Sequence, residues 1–172
     1  MFRISLATEE DIDDIVLLRD NAVEWLRSMQ SDQWQKPWPS AEGAGARLRQ
    51  SIDKRTTWLV RLSADAAATF VIDEYSDPHL WTEFEQSERA LYIHRFIVHR
   101  DYSGIGLGTK LMALIEAMAA HGGYRWLRVD VWTTNHGLQK YYLGKGFKHV
   151  RTIESDYPSG ALFQHEVRKR TH

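Results

Sequence analysis

Residues 103–108 read Ser103-Gly104-Ile105-Gly106-Leu107-Gly108, and no other stretch of the chain has residue types and spacing so suggestive of chemistry. A run of apolar and β-branched residues, Leu91 to Val98, precedes it, and apolar residues at Leu107, Leu111, Leu114, Ile115 and Met118 follow with helical period. Strand, glycine-rich turn and helix, in that order, aim backbone N–H groups and a helix N-terminus at one point, which suits an anion. Glycines let phosphates approach the backbone because no Cβ stands in the way. The same spacing also serves an ordinary strand-to-helix turn. No Gly-Lys-Ser/Thr follows in register, so this is not a P-loop. A position late in the chain argues against a dinucleotide fingerprint.

The elements that must hold this turn can be read along the chain. Phe2–Leu6 is a short strand. Thr8 caps a helix running to about Met29, with Glu9, Glu10 and Asp11 in its first turn, where negative charge suits the helix dipole. Ile12, Ile15, Val16, Ala22, Val23, Leu26 and Met29 lie on its apolar face. Pro37 and Pro39 break the chain, and Ser40 caps a second helix to Lys54. Thr56–Leu62 and Ala67–Ile72 read as strands joined by a tight turn. Asp73–Glu88 is a loop with at most one helical turn. After the helix over 107–121, stopped by Gly122-Gly123, come a strand at Leu127–Trp132, a short helix at Gly137–Gly144, and strands at Phe147–Ile153 and Ala161–Val167. Leu127, Val129 and Val131 share one strand face. No internal repeat or interdomain linker interrupts the 172 residues, so one domain is expected.

Composition narrows the function classes. Hydrophobic residues make up 43% and charged residues 26%, a globular profile. A formal net charge of −1 gives no strong pull toward nucleic acid or an anionic membrane, and neither is expected as a partner. Without cysteine there is no thiolate nucleophile, and the eight histidines lack the spacing of a helical zinc site, so no metal is expected. The N-terminus, MFRISLATEEDIDD, is too acidic and too broken for a signal peptide, and a cytoplasmic location fits.

The glycine turn resembles the acetyl-CoA loop of the GNAT superfamily of N-acetyltransferases, Arg/Gln-x-x-Gly-x-Gly/Ala after a strand and opening a helix. Ser103 stands where that family usually has Arg or Gln. A second patch, Asn135-His136-Gly137-Leu138-Gln139-Lys140-Tyr141-Tyr142-Leu143-Gly144-Lys145-Gly146-Phe147, is similar to the family's Asn-x-x-Ala-x-x-aromatic-Tyr-x-x-x-Gly-Phe, with Leu138 in the Ala position. One helix and one strand separate the two motifs, as in the family. The resemblance implies an α/β (α+β) fold: a mixed, mostly antiparallel sheet of six to seven strands with helices on both faces. It also implies acetyl-CoA as co-substrate and direct transfer of its acetyl group to a primary amine of a small molecule or peptide. A homodimer is left open. The alternative on the same fold is a non-catalytic acyl-CoA-binding sensor.

Acetyl transfer from a thioester to an amine needs a polarised carbonyl, a neutral amine and a stabilised leaving thiolate. By resemblance, backbone N–H groups of Phe96, Ile97 and Val98, at a bulge in the central strand, polarise the carbonyl. Ser103, Gly104, Ile105, Gly106, Leu107, Gly108 and Thr109 cradle the pyrophosphate, Asn135 bonds the pantetheine arm, and Tyr142 protonates the thiolate. Asn135 also reads as a helix N-cap, and Tyr142 as a packed aromatic. Many members carry a glutamate as base where this chain has Tyr92, and a tyrosine with an ordinary pKa of about 10 is a poor base at neutral pH. His94 lies two residues on, on the same strand face, and an imidazole suits that task; a histidine bonded within the sheet reads equally well. Asp130 is a weaker candidate. Of the seven tryptophans, Trp58, Trp126 and Trp132 fall in strands, whereas Trp34, Trp38 and Trp81 fall in loops. With Tyr92, those three either border the acceptor pocket or anchor the loops to the core.

Overall fold

The computed structural model describes residues 1–37 and 40–169. Seven strands, β1 (Phe2–Leu6), β2 (Thr57–Leu62), β3 (Asp65–Asp73), β4 (Ala90–Val98), β5 (Trp126–Val131), β6 (Lys148–Thr152) and β7 (Ala161–Glu166), form one sheet in the order β1-β2-β3-β4-β5-β7-β6. β4 and β5 are parallel; β1–β2, β2–β3, β5–β7 and β6–β7 are antiparallel. The helices are α1 (Ile12–Ser28), α2 (Ala41–Asp53), α3 (Glu83–Ser87), α4 (Leu107–His121) and α5 (His136–Gly144). This is the mixed, mostly antiparallel sheet with helices that the resemblance implies. None of the described helices is long and apolar enough to cross a membrane.

By contacts the chain forms two compact units: Met1–Ile72 with Arg95–Gly108, and Asp73–His94 with the chain from Thr109 onward. β4 and α4 each contribute to both.

In the first unit, Ile15 and Leu18 of α1, Ile52 of α2, Leu59 of β2, Ile97 of β4 and Ala7 form a buried cluster. The helix expected from Thr8 begins with a short 3-10 turn, in which the Asp11 carboxylate accepts a hydrogen bond from the Thr8 N–H at 2.8 Å. Arg61 of β2 then donates to Asp11 and Asp14, at 2.8 and 2.6 Å. The Ser40 hydroxyl caps α2, as its position predicts, accepting from the Gly43 N–H at 3.0 Å.

In the second unit, α4 buries Leu111, Met112, Ile115 and Ala119. Alternate residues Leu127, Val129 and Val131 of β5 are each no more than 2% exposed. Trp132, expected within that strand, lies one residue past its end. The turn after β6 returns so closely that a Cβ on Gly160 would stand 2.0 Å from the Ile153 carbonyl oxygen, so only glycine fits there. The one expected helical turn in the loop before β4 is α3. It is capped from both sides: the Thr82 hydroxyl accepts from the Glu85 N–H, and the Glu85 carboxylate accepts from the Thr82 N–H, at 3.2 and 2.8 Å.

Candidate active site

The local geometry of β4 is the first feature that a regular strand would not show. Arg95 has φ +48°, in the left-handed region, immediately before Phe96. A non-glycine residue there interrupts the strand's alternation and re-aims the backbone that follows, as at a β-bulge. Phe96 then tilts against Phe70 at 6.1 Å between ring centroids, Ile97 is buried, and Val98 is partly buried.

After β4 the chain tightens into a 3-10 turn at Arg100–Tyr102. The His99 imidazole accepts from the Asp101 N–H at 3.1 Å. The Ser103 hydroxyl turns back and donates to the Arg100 carbonyl at 2.8 Å, so this side chain closes the turn. Gly104 and Gly106 have φ +79° and +80°, a conformation that glycine alone adopts without strain, and a Cβ at either would meet nothing within 4 Å. Gly104, Ile105, Gly106 and Thr109 are exposed, Leu107 is buried, and Gly108 is intermediate. The turn therefore presents open backbone just where α4 begins.

In the second unit, the Lys145 ammonium donates to the Thr109 hydroxyl in the first turn of α4, at 2.5 Å. Lys145 also lies 5.4 Å from the Tyr141 ring centroid. Sequence reasoning left this lysine unassigned. Asn135 acts as the N-cap of α5, its side-chain oxygen accepting from the Leu138 N–H at 3.0 Å. Tyr142 is buried, with its ring edge-on to Tyr141 at 5.5 Å and to Phe147 at 5.2 Å. Burial, with further contributions from Tyr141 and the charge of Asp130, pushes its hydroxyl far above the usual phenol range, so it stays protonated.

His94 is bracketed by carboxylates. Its Nε2 is 3.0 Å from Asp73 Oδ1, and its Nδ1 is 4.0 Å from Asp130 Oδ1. The Tyr75 N–H also donates to Asp73 Oδ1, at 3.1 Å, and the Tyr157 hydroxyl donates to Asp130 Oδ2, at 3.0 Å. His94 is thus bonded within its surroundings, yet its side chain keeps 27% exposure. Asp73 and Tyr157 were not legible as site residues, since each reads as an ordinary loop or strand-end polar residue.

Tyr92 is closed off from solvent. It is 4% exposed, and its hydroxyl accepts from Arg128 Nη1 at 3.0 Å. Arg128 is fully buried. Its other donors reach Gln164 Oε1 at 3.1 Å, the Glu85 carbonyl at 2.7 Å and Glu88 Oε1 at 2.7 Å. The guanidinium also stands 4.9 Å from the Trp81 ring centroid. Trp81 is 2% exposed and packs edge-on to Tyr92 at 5.6 Å, in a cluster with Leu80, Ala90 and Leu162. Of the two roles open to this tryptophan, its surroundings are those of a core anchor. Trp34, partly buried, packs against the first unit's core. Trp38 lies outside the described residues.

Comparison with known proteins bears on this arrangement. Residues 20–147 match the model of the acetyltransferase (GNAT) family. The uncharacterised N-acetyltransferase YesJ of Bacillus subtilis is 26% identical over 165 residues, covering 94% of this chain and 88% of that protein. A GNAT-family acetyltransferase from Listeria monocytogenes superposes with a TM-score of 0.73 at 24% identity, over 96% of this chain and 94% of the other. The PaiA N-acetyltransferase of Thermoplasma acidophilum, solved with coenzyme A, superposes with a TM-score of 0.71 at 13% identity, over 96% and 99%.

Proposed function

This chain belongs to the GNAT acetyltransferase family, and on that premise we propose that it works as a single N-acetyltransferase domain, moving the acetyl group of acetyl-CoA directly to a primary amine. The observation that carries the reading is the strand–turn–helix. A left-handed Arg95 precedes Phe96–Val98, and left-handed Gly104 and Gly106 open onto free space where α4 starts. That geometry suits a pyrophosphate: bare N–H groups, a helix N-terminus and no Cβ in the way.

In this reading the backbone N–H groups of Gly104 to Thr109 hold the pyrophosphate, that of Ser103 being donated to the Arg100 carbonyl at 3.1 Å. Lys145 adds a positive charge beside Thr109, while Ser103, which stands where the family usually has Arg or Gln, is engaged with Arg100. Asn135 lies along the pantetheine arm while capping α5. N–H groups of Phe96, Ile97 and Val98 stabilise the carbonyl oxygen as charge develops on it. His94 takes the proton from the amine, and Tyr142, kept protonated by burial, donates to the departing sulfur. Trp34 borders the acceptor. Tyr92 and Trp81 act on the acceptor side only through the wall that they build with Arg128.

The test is thiol release from acetyl-CoA with a panel of primary amines, alongside calorimetric titration of CoA. Release that depends on the amine, with acetylated product found by mass spectrometry, is expected. CoA binding without release for any amine would instead identify a non-catalytic sensor.

A further inference from the structure

The acceptor side of the site has a chemistry of its own, which rests on the transferase reading above. Asp73, His94, Asp130 and Tyr157 form a chain of polar contacts within one compact unit. An ionised carboxylate only accepts, so Asp73 Oδ1, 3.0 Å from Nε2, fixes the ring proton on that nitrogen. The neutral ring then carries its lone pair on Nδ1. Nδ1 stands 4.0 Å from Asp130 Oδ1, which also only accepts. Two acceptors at this separation do not bond each other, and both want a donor.

A primary ammonium is such a donor. Placed about 2.8 Å from each acceptor, as charge-assisted hydrogen bonds require, it would subtend about 90° between them, close to the tetrahedral spacing of its own N–H bonds. The charges agree with this. Two carboxylates flank one imidazole, and the second oxygen of Asp130 is already held by Tyr157. The side chains of His94 and Asp130 keep 27% and 16% exposure, so a solute can reach the gap.

We propose that the acceptor enters as a cation, with its ammonium seated between Asp130 Oδ1 and His94 Nδ1, and that Asp73 is the positioning residue that keeps Nδ1 free to act as base. An N–H bond of the ammonium breaks, its proton passes to Nδ1, and the electron pair stays on nitrogen. The imidazolium so formed lies between two carboxylates, which stabilise it. The neutral amine then forms the C–N bond as the C–S bond breaks, the sulfur leaves with a proton from Tyr142, and the proton shed by the acetylated nitrogen restores the Tyr142 hydroxyl. The acceptor class is a cationic primary amine with no carboxylate beside it, because an anion there would face Asp73 and Asp130.

The experiment compares three acceptors: an aliphatic diamine, an α-amino acid, and an aniline that is neutral at pH 7. The diamine should give the highest kcat/KM. Asp130→Asn should raise the diamine's KM at least about tenfold while leaving the KM for acetyl-CoA and the aniline's KM unchanged. The 15N spectrum of the wild-type His94 ring should show the Nε2–H tautomer. Asp73→Asn should populate the other tautomer and lower kcat with little change in acceptor KM. An unchanged diamine KM in Asp130→Asn, an aniline preferred over the diamine, or an Nδ1–H tautomer in wild type would each overturn the proposal while leaving the transferase reading intact. Absence of thiol release with every amine would overturn that reading, and this proposal with it. The wild-type spectrum and the acceptor ranking need no variant, so they stand even if a substitution prevents folding.

Discussion

Replacing Arg128 by Met tests the account of the acceptor wall. The methionine fills much of the stem's volume and removes the guanidinium. What remains is a carboxylate at Glu88 whose side chain is 13% exposed, together with the Tyr92 hydroxyl and the Gln164 carbonyl. Breaking a buried pair from one side typically costs about 3–5 kcal/mol, mostly for the charge left behind. Glu88 keeps two donors, Trp126 Nε1 at 2.8 Å and Arg125 Nη1 at 3.2 Å. The lower end, about 3 kcal/mol, is therefore expected. For a chain of this length 1 kcal/mol moves Tm by about 2–4 °C, which gives a fall of about 6–12 °C. Urea unfolding followed by tryptophan fluorescence reads the free energy directly, with an unchanged slope showing that only stability moved. Adding Glu88→Leu should recover part of the loss, since no uncompensated charge then remains. A loss below about 1 kcal/mol, or a double variant no more stable than the single one, would mean that Arg128 is not holding Glu88 and Tyr92 in a dry wall.

Tyr142→Phe keeps the ring packed on Tyr141 and Phe147 and removes only the hydroxyl; a lost general acid costs about 10²–10⁴-fold, and the loss should fall on kcat, with Tyr141→Phe as the control. A near-normal kcat in Tyr142→Phe, where chemistry limits the rate, would show that the thiolate leaves unaided. Gly106→Asp should weaken CoA binding in calorimetry far more than Gly106→Ala does. Both share the penalty of φ +80°, so equal effects would rule out a phosphate at this turn. The pKa of Glu85 is lowered: burial raises it, but hydrogen bonds and charge from Arg151, with the Thr82 N–H, outweigh that. Its contribution is present above the ordinary glutamate pKa and fades as pH falls through the lowered folded value. Glu85→Gln should therefore be less stable than wild type at pH 7, with the two curves converging in acid, and a gap that persists in acid would contradict this.

Much of the fold was legible because it rests on short-range physics. The apolar period and the Gly122-Gly123 stop gave α4 its observed bounds, Leu107–His121. Ser40 capped α2, and the glycine turn took its left-handed form, because capping and steric freedom are properties of a few adjacent residues. The left-handed Arg95 carried no such signal, since arginine has no preference for that conformation. Nor did the burial of Arg128, which in the strand sequence LRVDV reads as the solvent side of an alternating pattern. Its charge is tolerated only because Glu88, 40 residues earlier, and the Trp81 ring converge on it. The same holds for His94, whose partner Asp73 is 21 residues away. Periodicity states which face is apolar, but whether a polar residue on the other face meets water, a carboxylate or an aromatic ring depends on which distant strands the sheet sets beside it. The sequence alone therefore located the turn that suits a phosphate, and the tertiary structure decided which carboxylates bracket His94 and which groups enclose Arg128.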